Sequence, residues 1–357
     1  MSEPEIRNLH DIPAAELPAA LAPLVDAPFR ARQVARWLHD RGAASIDEMT
    51  DLSLGMRESL STRFTASLPG IEQRTDPAPD GSEKFLFRLA DGSKIEAVYM
   101  PMGERTTICL SSQAGCAVGC TFCVTGFFGA GRNLTPAEIT GQVHRIRRER
   151  EIPWERLNLV LMGMGEPLLN LENVIPALDS LYPNVAPRRI TLSTSGIIPG
   201  IEELGRLERR PNLAVSINAP DGRRREEIMP ITKKYPLPDL IESLRRYPLE
   251  KGREITAEYV LLQGWNDSPR DAETLARLLR GLRVKVNAIP FNPDPNLPAW
   301  MKRPSDAAID RFAAALAENR IPVTVRRSRG DQIAAACGQL RGKNESKVRG
   351  ERDPKSL

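Results

Sequence analysis

The sequence predicts an α/β protein in which a partial, TIM-like (β/α)6 barrel follows a small N-terminal helical domain and a linking β-hairpin. Three observations support this fold class: a helical period between residues 29 and 64, a period of two between residues 84 and 101, and a strand–loop–helix pattern that repeats six times further along. With 357 residues, of which 41% are hydrophobic and 27% charged, the chain is long enough for one large core and a smaller one.

The N-terminal part predicts helices and then a hairpin. Met56, Leu60 and Phe64 recur every four residues, as on one face of a helix. Apolar and polar residues then alternate on both sides of the turn at 91–93, as in two paired strands. The predicted organisation is an N-terminal helical domain, a hairpin linker, a core domain and a basic tail expected to be disordered, with ranges 1–80, 81–105, 106–342 and 343–357.

The six predicted strand–helix units make up the core domain. The strands are predicted at 106–112, 158–162, 189–193, 212–217, 255–262 and 284–290. The helices that follow them are predicted at 136–150, 172–182, 199–208, 236–247, 270–282 and 305–320. The first helix has a strong start signal, because Thr135 offers a capping hydroxyl, Pro136 suits the first helical position and Glu138 completes a capping box.

Distinctive residues follow the carboxyl ends of these strands. They are the cysteines after the first strand, 163–167 after the second, 193–196 at the end of the third, 216–220 at the end of the fourth, and Asn292 after the sixth. Strand ends of this kind converge on one mouth in a parallel barrel, where active sites of such folds lie. The sequence therefore predicts a single cavity that is lined by segments far apart in the chain.

Three of the five cysteines lie within 116–123, in the spacing C-x3-C-x2-C. An odd, clustered set is not a disulfide framework, which favours a reducing compartment and thiols used for metal binding or catalysis. Zinc is one candidate because Cys109 could complete a four-cysteine set, although zinc sites usually pair two separate C-x2-C knuckles. An iron–sulfur cluster is the other, and three thiolates on a four-iron cluster leave one iron open to a substrate or cofactor.

Charge and hydropathy point to a soluble, cytoplasmic protein with a polyanionic partner. The net charge is only +4, but basic residues gather in runs such as 223–225 and 326–327, and such runs together favour nucleic acid. The N-terminus is polar, and no stretch approaches the roughly 18 apolar residues that a membrane span requires. We therefore expect no membrane association.

The ordered motifs of the chain resemble those of a known family. The three-cysteine spacing after the first strand and Gly-Glu-Pro after the second resemble the radical S-adenosylmethionine superfamily. Within it, residues 25 to 342 resemble the RlmN-type RNA adenine-C2 methyltransferases, which are related to the adenine-C8 methyltransferase Cfr. The shared stretches are "FRARQVARWLH", "CLSSQAGCAVGCTFCVTG", "RNLTPAEI", "LMGMGEPLLN", "RRITLSTSG", "IPFNP" and "RGDQIAAACGQL".

The resemblance implies a radical S-adenosylmethionine barrel and a set of site residues. A [4Fe-4S] cluster would be held by Cys116, Cys120 and Cys123. S-adenosyl-L-methionine would be bound by Gly165, Glu166, Ser193, Ser216, Ile217, Asn218 and Asn292. Cys337 would carry the methyl group as a covalent intermediate, Cys109 would release the product through a transient disulfide with Cys337, and Glu96 would be the proton acceptor.

The resemblance also implies the reaction and the partners. The chain would methylate C2 of one adenosine in 23S rRNA, at the peptidyl transferase centre, and the adenosine next to the anticodon of tRNA, with two S-adenosylmethionine molecules per turnover. It would act as a monomer with an electron donor such as flavodoxin or ferredoxin.

Two alternatives and two departures accompany this interpretation. The alternatives are methylation at C8 of adenine and a zinc-stabilised RNA-binding protein without catalysis. Asn218 lies where many family members carry histidine, and Phe127-Phe128 lies where more polar residues, often glutamine, are expected.

Overall fold

The structure is a computed structural model that describes residues 6–25, 27–326 and 339–340. Its strands are β1 (Arg7–Asn8), β2 (Phe64–Thr65), β3 (Gly70–Arg74), β4 (Glu83–Arg88), β5 (Lys94–Met102), β6 (Arg105–Cys109), β7 (Leu157–Leu161), β8 (Ile190–Thr194), β9 (Asn212–Ser216), β10 (Ile255–Leu261), β11 (Val284–Pro290) and β12 (Val323–Val325).

The α-helices are α1 (Leu17–Leu21), α2 (Pro28–Arg36), α3 (Leu54–Ser61), α4 (Val124–Phe128), α5 (Pro136–Glu149), α6 (Leu171–Leu181), α7 (Ile198–Arg206), α8 (Gly222–Ile228), α9 (Leu237–Arg246), α10 (Pro269–Leu279) and α11 (Asp306–Glu318). Helix α2 continues into a π-helical turn, Trp37–Arg41. Short 3₁₀ turns lie at Leu9–Asp11, Ile46–Glu48, Trp154–Arg156, Pro167–Leu169, Pro187–Arg189 and Pro230–Lys233.

In the described part of the chain, one ten-stranded sheet carries the architecture, and its strands follow one another in chain order from β3 to β12. Strands β6 to β12 are parallel, and β3, β4 and β5 are antiparallel to their neighbours. Over these residues the sheet does not close into a barrel. The fold is an open α/β sheet with an N-terminal domain, which confirms the predicted partial barrel. The predicted hairpin is formed by β4 and β5, and it extends the sheet because β5 pairs directly with β6.

The six predicted strands and the six helices that follow them all form, with ends within three residues of the prediction. Thr135 caps α5 as expected: its side chain accepts from the Glu138 backbone, while the Glu138 carboxylate accepts from the Thr135 backbone. In the core domain, strand β12 and helices α4 and α8 were not predicted. All three are short, and in α8 the apolar residues are too few to give a helical period.

The N-terminal domain has its own core, separate from that of the sheet. Leu9, Leu38 and Leu60 are fully buried in it, and β1 pairs with β2 so that the two ends of the domain meet. The domain docks on α5, where Asp11 Oδ1 accepts from the Ala137 backbone N–H at 2.8 Å. No helix among the described residues is both long and apolar enough to cross a membrane.

The two faces of the parallel strands have different surroundings. Tyr259 of β10 points to the helices and stacks on Phe312 of α11 with ring centroids 5.2 Å apart. Its neighbour Glu258 points to the opposite, concave face, in one row with Ser216 of β9 and Asn287 of β11. This row lies close to the carboxyl ends of the strands, where the site is found.

Candidate active site

The loop between β6 and α4 brings the three clustered cysteines to one cavity. Cys116, Cys120 and Cys123 all line it, at the carboxyl ends of the parallel strands. The loop folds back tightly, with the Cys116 backbone N–H donating to Gly129 O at 2.8 Å. A Cβ at Gly131 would overlap the carbonyl of the loop segment before Cys116, so only glycine permits this turn.

Burial controls the protonation of these thiols. Burial, together with repulsion from Cys123 and Glu166, raises the pKa of Cys116 to about 12. Burial likewise raises the pKa of Cys120 well above its usual range, with added repulsion from the two other thiols. Such thiols become thiolates when a cationic metal centre compensates the loss of hydration. The donor set therefore fits a group that supplies positive charge and prefers soft sulfur ligands.

The spacing of the thiols differs from that of a single-ion site. Among the described residues, no three His, Cys, Asp or Glu side chains are grouped so that they could hold one metal ion. A cubane cluster takes each cysteine on a different iron, so its ligands need not converge on a point. Cys109, the possible fourth zinc ligand, is buried at the end of β6 and is not one of the residues that line the cavity.

The segment after β7 fixes Glu166 at the cavity wall. Its carboxylate accepts from the backbone N–H of Ser195 at 2.6 Å and of Leu168 at 3.1 Å, and burial raises the pKa of this carboxyl group. Gly165 adopts φ +102°, and a Cβ there would lie 2.6 Å from the Cβ of Gln113. The close approach of the two loops thus requires glycine at position 165, and both Gly165 and Glu166 line the cavity in which a ligand would lie.

The structure places most of the predicted cofactor residues on this cavity. Its lining includes Gly165, Glu166, Ser193, Ser216, Asn218 and Asn292. Ile217 is fully buried in the main hydrophobic core and does not line the cavity. Any contact from Ile217 would have to come from its backbone.

Asn218, the first departure from the family pattern, uses its side chain to join β9 to β10. Its Oδ1 accepts from the Val260 backbone N–H at 2.9 Å, and its Nδ2 contacts Met229 Sδ at 3.3 Å. Asn218 has φ +57°, a conformation that asparagine tolerates better than most residues. The amide therefore has a structural role. In the second departure, Phe127 is 59% exposed on α4.

Arg225 is a structural residue of the site that the sequence did not reveal. Its guanidinium is fully buried and donates to Ser195 O at 2.6 Å, Ser216 O at 2.9 Å and Thr232 Oγ1 at 2.8 Å. Burial lowers its pKa to about 10. The sequence analysis counted residues 223–225 among the basic runs that favour nucleic acid, but Arg225 is buried within the protein, where its side chain ties the ends of β8 and β9 together.

Glu96 and Cys109 lie on the same face of the sheet. Val98 of β5 pairs with Cys109 of β6, and Glu96 lies two residues before Val98. Glu96 is only 3% exposed, unlike most hairpin glutamates, and its carboxylate is 3.3 Å from Lys84 Nζ. The register therefore brings the predicted proton acceptor and the predicted resolving cysteine close together.

The disulfide implied by the resemblance is not formed in the structure. The four described cysteines are all thiols. Cys337, the predicted methyl carrier and the partner in that disulfide, lies outside the described residues. The predicted roles of Cys109, Glu96 and Cys337 remain predictions.

Glu258 is a second residue that sequence reasoning missed. It lines the cavity from β10, is 5% exposed, and burial raises its pKa to about 7. The sequence did hold a signal, since a glutamate interrupts the otherwise apolar end of this strand. A charged residue at a buried strand position needs a compensating partner or a function.

Comparisons with known proteins agree with this geometry. A family model described as the ribosomal RNA large subunit methyltransferase N-terminal domain matches residues 7–65, and the model of the radical SAM superfamily matches residues 110–279. A dual-specificity RNA methyltransferase RlmN from Anaeromyxobacter dehalogenans is 48% identical over 345 residues, covering 93% of this chain and 91% of that protein. The Marinobacter nauticus protein of the same name is 43% identical, with 96% and 94% covered.

A solved structure has the same fold. The crystal structure of a radical SAM methyltransferase from Sphaerobacter thermophilus superposes with a TM-score of 0.87 at 44% identity, covering 94% of this chain and 100% of that one. The fold is thus that of the radical SAM superfamily. Within that superfamily, the chain belongs to the RlmN family of S-adenosylmethionine-dependent RNA methyltransferases. Membership confirms the predicted enzyme class, and the alternative of a binding protein without catalysis is not supported.

Proposed function

We propose that this chain methylates C2 of an adenosine in 23S rRNA and of the adenosine next to the anticodon in tRNA. The observation that carries the proposal is the cavity, in which three thiols face the same space as Glu166, Ser193 and Ser216. Family membership supports RNA as the substrate. The position of the methyl group and the identity of both RNAs rest on the resemblance of the motifs.

The described residues fit the cofactors that such a reaction needs. Cys116, Cys120 and Cys123 would hold a [4Fe-4S] cluster, while Glu166, Ser193 and Ser216 would bind S-adenosylmethionine. Together the two groups would supply the one-electron chemistry that activates an unreactive C–H bond. A small electron-transfer protein such as flavodoxin or ferredoxin would deliver the electron, and we propose that the enzyme acts as a monomer.

The chain would provide a nucleophile because C2 of adenine has no lone pair with which to attack a methyl sulfonium. The Cys337 thiolate would take the methyl group from one S-adenosylmethionine: a carbon–sulfur bond forms on the cysteine, the sulfonium bond breaks, and S-adenosylhomocysteine leaves. A second S-adenosylmethionine would be consumed in joining this methyl carbon to C2. The base would then be linked covalently to Cys337.

Release of the product needs a base and a second thiol. Glu96 would accept the proton from C2, and the Cys109 thiolate would attack the sulfur of Cys337. The carbon–sulfur bond to the base breaks with its electron pair left on carbon, which is protonated to the methyl group, and a disulfide remains between the two cysteines. The shared face of Glu96 and Cys109 supports this division of labour.

The substrate adenosine would have to leave its stack to reach the cavity. Other base-modifying enzymes extrude the target nucleotide in the same way. The N-terminal domain, which matches the family's N-terminal model, and the basic runs would bind the RNA by shape and backbone charge.

The test is mass spectrometry of a model RNA fragment after anaerobic incubation with reconstituted enzyme, reductant and methyl-deuterated S-adenosylmethionine. We expect a methyl group with two label deuteriums at adenine C2, none with Cys337→Ala, and an accumulated protein–RNA crosslink with Cys109→Ala. Label at C8 would establish the alternative regiochemistry. A methyl group with three deuteriums that still forms with Cys337→Ala would refute the cysteine route.

A further inference from the structure

The concave face of the sheet carries a carboxyl group that the proposed reaction does not use. Glu258 lies in the middle of a polar row, with Ser216 on the neighbouring β9 and Asn287 on β11. Its side chain lines the same cavity as the three clustered cysteines, yet only 5% of it is exposed. The carboxyl group therefore faces the space in which a ligand would lie.

Only one oxygen of this carboxyl group accepts a hydrogen bond from the residues that the structure describes. Asn287 Nδ2 donates to Glu258 Oε2 at 2.7 Å. Oε1 receives no hydrogen bond from any residue that the structure describes. Arg326 and Lys285 favour the charged form through space, but burial dominates and raises the pKa to about 7. In the part of the chain that the structure describes, Oε1 is not one of the fully enclosed side-chain atoms that lack a partner, so it stays accessible from the cavity, where the hydroxyl groups of a ligand would donate to it.

A structural role does not account for Glu258. Its single side-chain hydrogen bond joins two strands, β10 and β11, that already pair over seven residues. By contrast, Arg225 reaches three groups on different elements. The placement of Glu258 is better explained by what enters the cavity.

The chemistry of the row identifies the ligand. A carboxylate with a free oxygen matches vicinal hydroxyls, as when acidic residues bind the ribose of dinucleotides. A nucleotide inside an RNA chain has no free diol, and its 3′-phosphate would be repelled by the carboxylate. The nucleoside of S-adenosylmethionine keeps both hydroxyls. Ser216, the neighbour of Glu258 in the row, is already expected to contact that nucleoside.

We propose that Glu258 binds the ribose hydroxyls of S-adenosylmethionine, with Asn287 as the residue that positions its carboxylate. This inference rests on the proposed use of S-adenosylmethionine. The other residues proposed to bind this cofactor lie at the ends of β7, β8, β9 and β11, so β10 would be the fifth strand to contribute.

The test is calorimetric titration of the anaerobically reconstituted holoenzyme with S-adenosylhomocysteine and with its 2′,3′-dideoxy analogue. Glu258→Gln removes a charge-assisted hydrogen bond, so we expect this variant to bind S-adenosylhomocysteine roughly tenfold to a hundredfold more weakly than the wild type does. The dideoxy analogue should bind the wild type and this variant within about threefold of each other, because the interaction is already absent. Glu254→Gln, an exposed carboxylate that pairs with Lys285, is the matched control and should bind like the wild type.

Each outcome decides between the two proposals. A wild-type enzyme that does not bind S-adenosylhomocysteine would refute the proposed function itself. If the wild type binds and Glu258→Gln binds equally well, or weakens both ligands in parallel, the ribose contact is wrong. The model RNA fragment is titrated in the same way, and a Glu258→Gln variant that loses affinity only for this RNA would assign Glu258 to the substrate and overturn the inference. Should Glu258→Gln fail to fold, Glu258→Asp provides the same comparison with the charge retained.

Discussion

Replacing Glu258 by glutamine is expected to make the protein more stable at pH 8. Burial raises the pKa of this carboxyl group from 4.5 to about 7, so the folded chain holds the proton more tightly than the unfolded chain does. The free energy of unfolding must therefore fall as the pH rises from about 4.5 to about 7. Each pH unit of difference is worth about 1.4 kcal/mol, which gives a cost of roughly 3 kcal/mol at pH 8.

Glutamine has the same shape but no charge to bury. Its amide oxygen can still accept from Asn287, while the attraction of Arg326 and Lys285 for the carboxylate, already included in the pKa of about 7, is lost together with the burial cost. We expect Glu258→Gln to gain about 1–3 kcal/mol at pH 8 and almost nothing at pH 4.

The assay is urea denaturation of the anaerobically purified protein at pH 4, 6 and 8, followed by tryptophan fluorescence. The exposed control Glu254→Gln should change the free energy of unfolding by less than about 0.5 kcal/mol at every pH. A Glu258→Gln variant that is no more stable than the wild type at pH 8 would refute the reasoning. A gain of the same size at all three pH values would also refute it.

Three further predictions concern the framework around the site. Gly42→Ala places a Cβ 2.5 Å from His144 at a φ of +65° and should lower the free energy of unfolding by more than about 2 kcal/mol. Gly92→Ala has a similar φ but no close neighbour, and should lower it by about 1 kcal/mol. Chemical denaturation compares the two variants. Arg225→Met removes the donor of two backbone carbonyls and should cost more than about 3 kcal/mol in the same assay, and a cost below 1 kcal/mol would contradict its structural role. Burial lowers the pKa of His10 from 6.5 to about 4, so the unfolded chain binds a proton more readily; stability should fall as the pH drops from about 6.5 to about 4, and a His10→Gln variant should show a flatter pH profile.

The periodic parts of the fold could be predicted from the sequence. Strands such as β8 and helices such as α5 combine an apolar pattern with clear ends, and local signals of this kind depend little on the rest of the chain. The convergence of Cys116, Glu166 and Ser193 on one cavity was also foreseeable, because the carboxyl ends of parallel strands lie at one edge of a sheet.

The roles of single charged residues could not be predicted in this way. Arg225 and Arg223 are two positions apart, yet Arg225 is fully buried while the Arg223 side chain is 85% exposed. Only the tertiary structure, which brings Ser195 and Ser216 to one side of α8, separates the two. The role of Glu258 could not be predicted either, because it depends on which face of β10 turns towards the cavity. The apolar pattern of a sequence predicts its helices and strands, but the group that pairs with a buried charge can lie far away in the chain, so the local pattern does not predict it.

The order of strands in the sheet also bears on how the protein is made. Each strand from β4 to β12 pairs with the strand synthesised just before it, so a chain leaving the ribosome can add strands to the sheet one at a time. Domains generally fold from the N-terminus during synthesis. The cysteine loop therefore emerges and finds its first wall, β7 and β8, before β10 and β11 have been translated. The side of the cavity that holds Glu258 is completed last, so the nascent chain presents its thiols in an open groove until the final strands join.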